Sequence, residues 1–473
     1  MSTLSAREKW AYAIGNMPFA VKDAAFVNFV VFYYTQVHGL SGTLAGLAMF
    51  IALSWDAISD PVVGSWSDSF RSRWGRRHPL LVAGGLPTAL LFLALFAPPE
   101  QLGQMGIFIW LLGVSILLRT FLTIYFIPYS AMGAELSTDY DERTVIAKAR
   151  VTMGWLAGMA LPAIGFLLFF GPSDGIDGRL VAVNYWHYGL LSALVAGITA
   201  VVCILGTRSV IPRLPKATSE RKFSWRDPLQ DLLLAFKNRN FRMSLGANLA
   251  FGMRAGVYTT LSLYLATYFW EFSSDQLAGM VLPTAAATLA AFAVLSRLGK
   301  RFDKPHLLAA SSLALALNGS WFLGSRLLGF LPENGHAVIY PLLLLNTGIS
   351  VFMIVSMQVL AASLAADIID EQEMTTGRRQ DGVVFAAGAF VQKATTGAGA
   401  LLAGVVIDLA GISAASVPGD VDAEVLQSLG WFTLVMTGGL ALVAFFFNTR
   451  LRLGRNEHTE MRMQLAAATS LKE

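Results

Sequence analysis

Apolar residues along this chain gather into long runs separated by short polar stretches, and twelve such runs can be counted. They cover 10–36, 42–67, 79–98, 104–132, 144–170, 184–206, 241–269, 276–296, 306–328, 338–366, 382–410 and 425–449. About 20 residues of helix cross the hydrocarbon core of a bilayer, so each run predicts a spanning helix. Several contain Gly or Pro, which spanning helices tolerate better than soluble ones do. The expected fold class is an all-α membrane protein with twelve transmembrane helices.

The polar stretches alternate in charge. One set is basic: Arg71, Arg73, Arg76 and Arg77 after the second run, the stretch 207–242, the stretch Ser296–Pro305, Arg378 and Arg379, and Arg450, Arg452 and Arg455. The intervening stretches, such as 38–43, 98–104 and 411–425, carry no Lys or Arg, and Arg179 alone breaks the pattern. Basic loops stay in the cytoplasm, which predicts both termini on that side. The N-terminal apolar segment is too long for a signal sequence and is read as a retained span.

The stretch 207–240 divides the runs into two sets of six. Arg73–Leu86 is echoed by Arg301–Leu313, and Ser130–Thr144 by Ala362–Gly377, each six runs later. Because the echo keeps its orientation, it is a parallel repeat about an axis along the membrane normal, the layout of the major facilitator fold of two six-helix halves. The expected units are an N-terminal bundle (1–206), a cytoplasmic central loop (207–240), a C-terminal bundle (241–449) and a cytoplasmic tail (450–473).

Composition agrees. Of 473 residues 55% are hydrophobic and only 14% charged, against about 25% charged in globular chains. A net charge of +4 gives no reason to expect a nucleic-acid partner. The single cysteine, Cys203, excludes an intrachain disulfide and a cysteine metal cluster. The six histidines fall at span ends or outside spans, so a buried imidazole relay or metal site is not expected. No metalloprotease, nucleophile-elbow or P-loop motif occurs. The chain reads as neither an enzyme nor an ATP-driven pump, and no cofactor is expected.

The informative residues are charges inside the apolar runs, which are costly there and usually mark a substrate or ion path. Asp56 and Asp60 lie four residues apart, hence on one helix face. Two facing carboxylates repel unless a cation, a proton or a basic side chain joins them. Lys393, deep in the eleventh run, is the candidate basic partner. Lys22 and Asp23 lie deep in the first run, and Arg150 opens the fifth. Arg119 and Arg254 read as bundle-facing pair partners. Tyr129, with Trp55, Tyr125, Phe126 and Tyr258, either stacks on a sugar or packs. Glu135, Asp139, Asp141 and Arg143 form one charged segment on the basic side, and Asp367, Asp370 and Arg378 another. They read either as solvated clusters or as a cytoplasmic gate whose ion pairs form in one state and break in the other.

Several of these segments resemble the glycoside–pentoside–hexuronide:cation symporter family. The marks are VKD and FYYTQVHGLS within Val21–Ser41, WDAISDPVVG (Trp55–Gly64), RSRWGRRHP (Arg71–Pro79), TIYFIPYS (Thr123–Ser130) and Lys393. The resemblance implies that Asp56 and Asp60 bind the coupling cation with help from Thr123. Ser59 stands where the family has asparagine, which leaves sodium, lithium and proton open. It further implies that Asp23 and Arg150 hold substrate. Phe126 replaces a sugar-binding aspartate and Ser130 a stacking tryptophan, so a melibiose-like galactoside is not the expected substrate.

The expected function is cation-coupled symport of a glycoside, uronide, sulfosugar or related solute by alternating access, in the inner membrane, by a monomer. Substrate would bind near Asp23, Phe126, Arg150 and Lys393, flanked by Lys22 and Tyr129. The alternatives are a lysolipid carrier of the same branch and a non-transporting sensor on a carrier fold.

Overall fold

The computed structural model describes residues 4–137, 139–172, 175–214, 234–376 and 381–455, together with 457, 460, 461 and 463. The helices are α1 (Ala6–Ile14), α2 (Met17–Ala25), α3 (Gly42–Ser69), α4 (His78–Leu95), α5 (Gln104–Glu135), α6 (Tyr140–Leu168), α7 (Ala182–Gly206), α8 (Arg239–Tyr264), α9 (Ser274–Gly279), α10 (Val281–Leu298), α11 (Lys304–Leu327), α12 (Ile339–Thr376), α13 (Asp381–Ala410) and α14 (Ala423–Thr449). Among the described residues ten helical segments are long and apolar enough to cross a membrane: α3 to α7, α9 with α10, and α11 to α14.

The remaining two apolar runs are also helical but irregular. The first breaks at Gly15–Asn16 between α1 and α2. A Cβ at Gly15 would lie 2.5 Å from Cys203 Sγ and 2.7 Å from the Tyr129 ring, so only glycine fits. Carbonyls at the break are bonded from α5: Tyr129 donates to the Tyr12 oxygen and Tyr125 to the Gly15 oxygen, both at 2.9 Å. Backbone groups at membrane depth need such partners. The run then widens into π-helical turns at Phe26–Val30 and Tyr33–Val37, and α8 does the same at Leu265–Phe269. Both runs end alike. Leu40 N donates to the Tyr34 carbonyl at 2.9 Å and Phe272 N to the Ala266 carbonyl at 2.8 Å. The preceding residue is left-handed in each case, Gly39 at φ 67° and Glu271 at φ 53°.

Most helix limits fall within a few residues of the apolar runs. The exception is α12, which continues to Thr376. Leu364, Ile368 and Gln372 carry a buried stripe at helical spacing through the acidic segment. The segment read as a loop after α5 also starts a helix, with Asp139 capping α6.

Within the first half α3 packs on α5, α4 on α5 and α7, and α2 on α6 and α7. In the second, α8 packs on α13 and α14, α11 on α12 and α14, and α10 on α12. The halves meet chiefly where α3 lies antiparallel against α13. Glycines let the backbones touch there. A Cβ at Gly46 would lie 2.6 Å from the Ala400 carbonyl oxygen, and Gly397 abuts the Phe50 backbone in the same way.

At the end of the bundle away from the basic loops, the halves are bonded to one another. Asp408 of α13 accepts from Ser41 Oγ at 2.7 Å, Gly42 N at 2.7 Å and Thr43 N at 2.8 Å, covering the N-terminus of α3. Tyr268 donates to Gln36 at 2.8 Å, Thr35 bonds Tyr264, and Ser274 donates to the Phe170 carbonyl at 2.5 Å.

Candidate functional site

The charged residues converge where α3, α5 and α13 meet. Asp56 and Asp60 lie one turn apart on α3, and Arg119 and Thr123 one turn apart on α5. The two helices run side by side, so the pairs oppose each other rung by rung. Arg119 Nη1 meets Asp56 Oδ2 at 2.5 Å, with both side chains buried. Thr123 Oγ1 donates to Asp60 Oδ1 at 2.9 Å. Lys393 reaches from the other half to Asp60 Oδ2. The Arg119 guanidinium also lies 4.6 Å from the centre of the Phe26 ring. Asp56 Oδ1 is buried with no partner among the described residues.

Lys22 is buried beneath Asp23, with Nζ 2.5 Å from Oδ1, and lies 4.4 Å from the Phe19 ring centre. The Asp23 side chain is about half exposed, at 51%. Three carboxylates thus meet three side-chain cations, and the cluster is neutral as it stands. Lys393, the basic partner expected from the sequence, sits on Asp60. Each of the two aspartates has its own tethered counter-charge, and Arg119, read only as a generic pair partner, is the one on Asp56. The missed signal was the matched four-residue spacing of Asp56/Asp60 and Arg119/Thr123.

The other sequence candidates divide. Arg150 donates from Nη1 to Ser130 Oγ at 3.0 Å, close to the Phe126 ring that stacks on Phe19 at 4.2 Å. Ser59 is turned back on its own helix, 3.5 Å from the Asp56 carbonyl. Tyr129 is fully buried, stacked on Tyr12 at 4.7 Å, and spends its hydroxyl on the break in the first run. Of the two readings open to it, stacking on a sugar or packing, this position is the packed one.

On the basic side, bonds within each half hold several of these charges. Glu135 Oε1 meets Arg76 at 2.7 Å and Arg77 at 2.6 Å. The repeat-related Asp367 meets Lys304 at 2.5 Å. Asp139 caps α6 by accepting from Glu142 N, and Arg143 donates to the Ser137 carbonyl. Asp141 is exposed and Asp370 half-buried on α12. Arg378 lies outside the described residues. These bonds of Glu135 and Asp367 brace the start of α4 against α5 and α11 against α12.

Two halves of spanning helices joined along a charged, glycine-lined seam define a multi-pass membrane carrier. The fold of a crystallised D-xylose–proton symporter is similar, with a TM-score of 0.63 at 13% identity over 94% of this chain and 97% of that one, a likeness of fold alone. The chain belongs to the family described as MFS/sugar transport protein, whose profile matches residues 11–455. It is 24% identical to an "uncharacterized symporter" of Synechocystis over 97% of this chain and 96% of that protein. It is 32% identical to sodium-dependent lysophosphatidylcholine symporter 1-B of Danio rerio, over 34% of this chain and 31% of that protein.

Proposed function

We propose that the chain is a cation-coupled secondary symporter of a sugar-derived or related small solute. Twelve spans cross the membrane, the basic face and both termini are cytoplasmic, and residues 1–206 and 241–449 rock against each other about the seam. The end sealed by Asp408 is then extracytoplasmic. The reading is supported by the family, by the symporters among the relatives, and above all by one arrangement: the carboxylate that ties the halves together, Asp60, is held by a displaceable lysine.

The coupling cation, sodium or proton, acts at that bond. Asp56 Oδ1, the Asp60 carboxylate and Thr123 Oγ1 offer the oxygen donors a hard cation takes. Arg119 keeps its charge at any physiological pH and stays on Asp56. Lys393 has no such rigid fork and is the partner a cation displaces. Its release loosens α13 from α3 at the middle of the seam while substrate occupies the space near Asp23 and Arg150. Cation and substrate then strengthen each other's binding by the same factor.

The test is uptake into proteoliposomes under an imposed sodium or proton gradient, with a panel of glycosides, uronides, sulfosugars and lysolipids. Asp60→Asn is expected to abolish uphill accumulation while leaving substrate exchange. Undiminished accumulation in that variant removes the symport reading. Uptake restricted to lysolipids moves the substrate to the class named for the Danio rerio relative.

A further inference from the structure

Four arginines are buried in the described structure: Arg77, Arg119, Arg179 and Arg254. The first three each meet a carboxylate: Glu135 and Asp68, Asp56, and Asp177. Arg254 does not. It lies well inside α8, is 4% exposed, and its Nε has no partner among the described residues. Among the described residues its charge contact is the Tyr258 ring, centred 5.7 Å away. A guanidinium cannot shed its proton to escape such a place. An unpaired cation at membrane depth marks a site whose counter-charge arrives from outside.

Arg254 lines a cavity of about 340 Å³ between the two halves. That volume suits a small solute. Its wall is mixed. Asn28 and Met159 come from the first half, and Ser262, Thr284 and Thr347 from the second. Hydroxyl, amide and apolar groups thus line the cavity together with a single positive charge. The neighbouring cluster cannot supply the missing anion, because Asp23, Asp56 and Asp60 are each committed to another cation.

We propose that this cavity seats the oxyanion group of the transported solute, a carboxylate, sulfonate or phosphate monoester, on Arg254, with the surrounding hydroxyls and amide taking its hydroxyl groups. The proposal rests on the carrier reading above and adds a recognition residue in the second half, apart from Asp23 and Arg150. Substrate held there spans both halves, so its binding bears directly on their relative position.

The experiment measures thermal unfolding and binding of the purified full-length protein with glucuronate, a sulfonated hexose, a hexose phosphate and neutral glucose. At least one oxyanion is expected to stabilise the wild type where glucose does not. Arg254→Gln is expected to weaken that ligand at least 10-fold while unfolding no lower than wild type without ligand, since an unpaired buried charge has been removed. Arg254→Lys keeps the charge and is expected to retain part of the preference. A purely structural arginine gives the opposite pattern: Arg254→Gln unfolds earlier and oxyanion binding is unchanged in the folded fraction, which overturns the proposal. Equal binding of neutral and anionic solutes, or protection by anionic lysolipid alone, also overturns it. If neutral glycosides still accumulate in liposomes, the carrier reading stands while the Arg254 seat falls. If no solute is transported or bound, both fall.

Discussion

Asp408→Asn isolates the seal between the halves. In the wild type one carboxylate accepts three hydrogen bonds from Ser41, Gly42 and Thr43, at the positive end of the α3 dipole. A hydrogen bond to a charged group is worth about 1.5–3 kcal/mol, and a charge at a helix terminus about 0.3–1 kcal/mol. The amide keeps one acceptor oxygen, turns its NH2 toward backbone donors, and loses the charge. Water reaches this end of the bundle and offsets part of the loss. A net weakening of about 2 kcal/mol remains, so the odds of the separated state rise about 30-fold, at 1.4 kcal/mol per decade. Spin labels at Gln101 and Ala415, in exposed loops of opposite halves, report this distance in a Cys203→Ala background. The ratio of long- to short-distance populations measured by double electron–electron resonance is expected to grow by that factor. An unchanged distance distribution in a folded Asp408→Asn protein refutes the argument that this carboxylate holds the end shut.

Three further outcomes are expected. Arg119→Gln leaves Asp56 as an unpaired buried charge and costs about 3–5 kcal/mol in unfolding, whereas adding Asp56→Asn recovers most of it; a double variant no more stable than the single one refutes the pairing. Tyr129→Phe leaves the Tyr12 carbonyl without its donor and lowers stability by about 1–3 kcal/mol, while substrate affinity stays within about 2-fold; a selective loss of affinity restores Tyr129 to the binding site. Hydrogen bonds from the Ser209 hydroxyl and from Ser5 hold the Glu8 carboxyl below its ordinary range. A lowered folded value stabilises above the unfolded pKa of about 4.3 and is lost as pH falls through the folded one. The tie between α1 and residue 209 is therefore expected to hold at neutral pH and loosen below about pH 4, read as faster proteolysis of the N-terminal segment in wild type than in Glu8→Gln relative to their neutral-pH rates.

Much of the architecture was legible because a bilayer imposes one length and one polarity on every span, and the runs carry both. Where reading fell short, the cause was a partner distant in sequence. The break at Gly15 depends on tyrosines of α5, more than a hundred residues on. The extension of α12 depends on a buried stripe that continues beneath an acidic surface. Lys393 could be proposed for Asp60 because a lone lysine at that depth demands a carboxylate. The register that gives Arg119 to Asp56 rather than Asp60 is set by helix packing, which no local pattern records. Asp408 passed unnoticed, since a carboxylate near a helix end looks ordinary until another helix is found beginning against it. Arg254 misled in the opposite direction: its charge announced a pair, and no acid among the described residues meets it.

Lys393 and Asp408 share α13, fifteen residues and about 22 Å apart. The groups they grasp, Asp60 and the start of α3, likewise share one helix. Two stiff rods clasped at two points, with smooth glycine contacts between, behave as a hinged pair of levers. Slackening the mid-seam clasp lets the rods swing while the end clasp bears the load, and the reverse holds when the end clasp gives way. On the alternating access proposed above, a leak requires both to be undone together, so the geometry that permits motion also makes the simultaneous opening of both ends the rarest event.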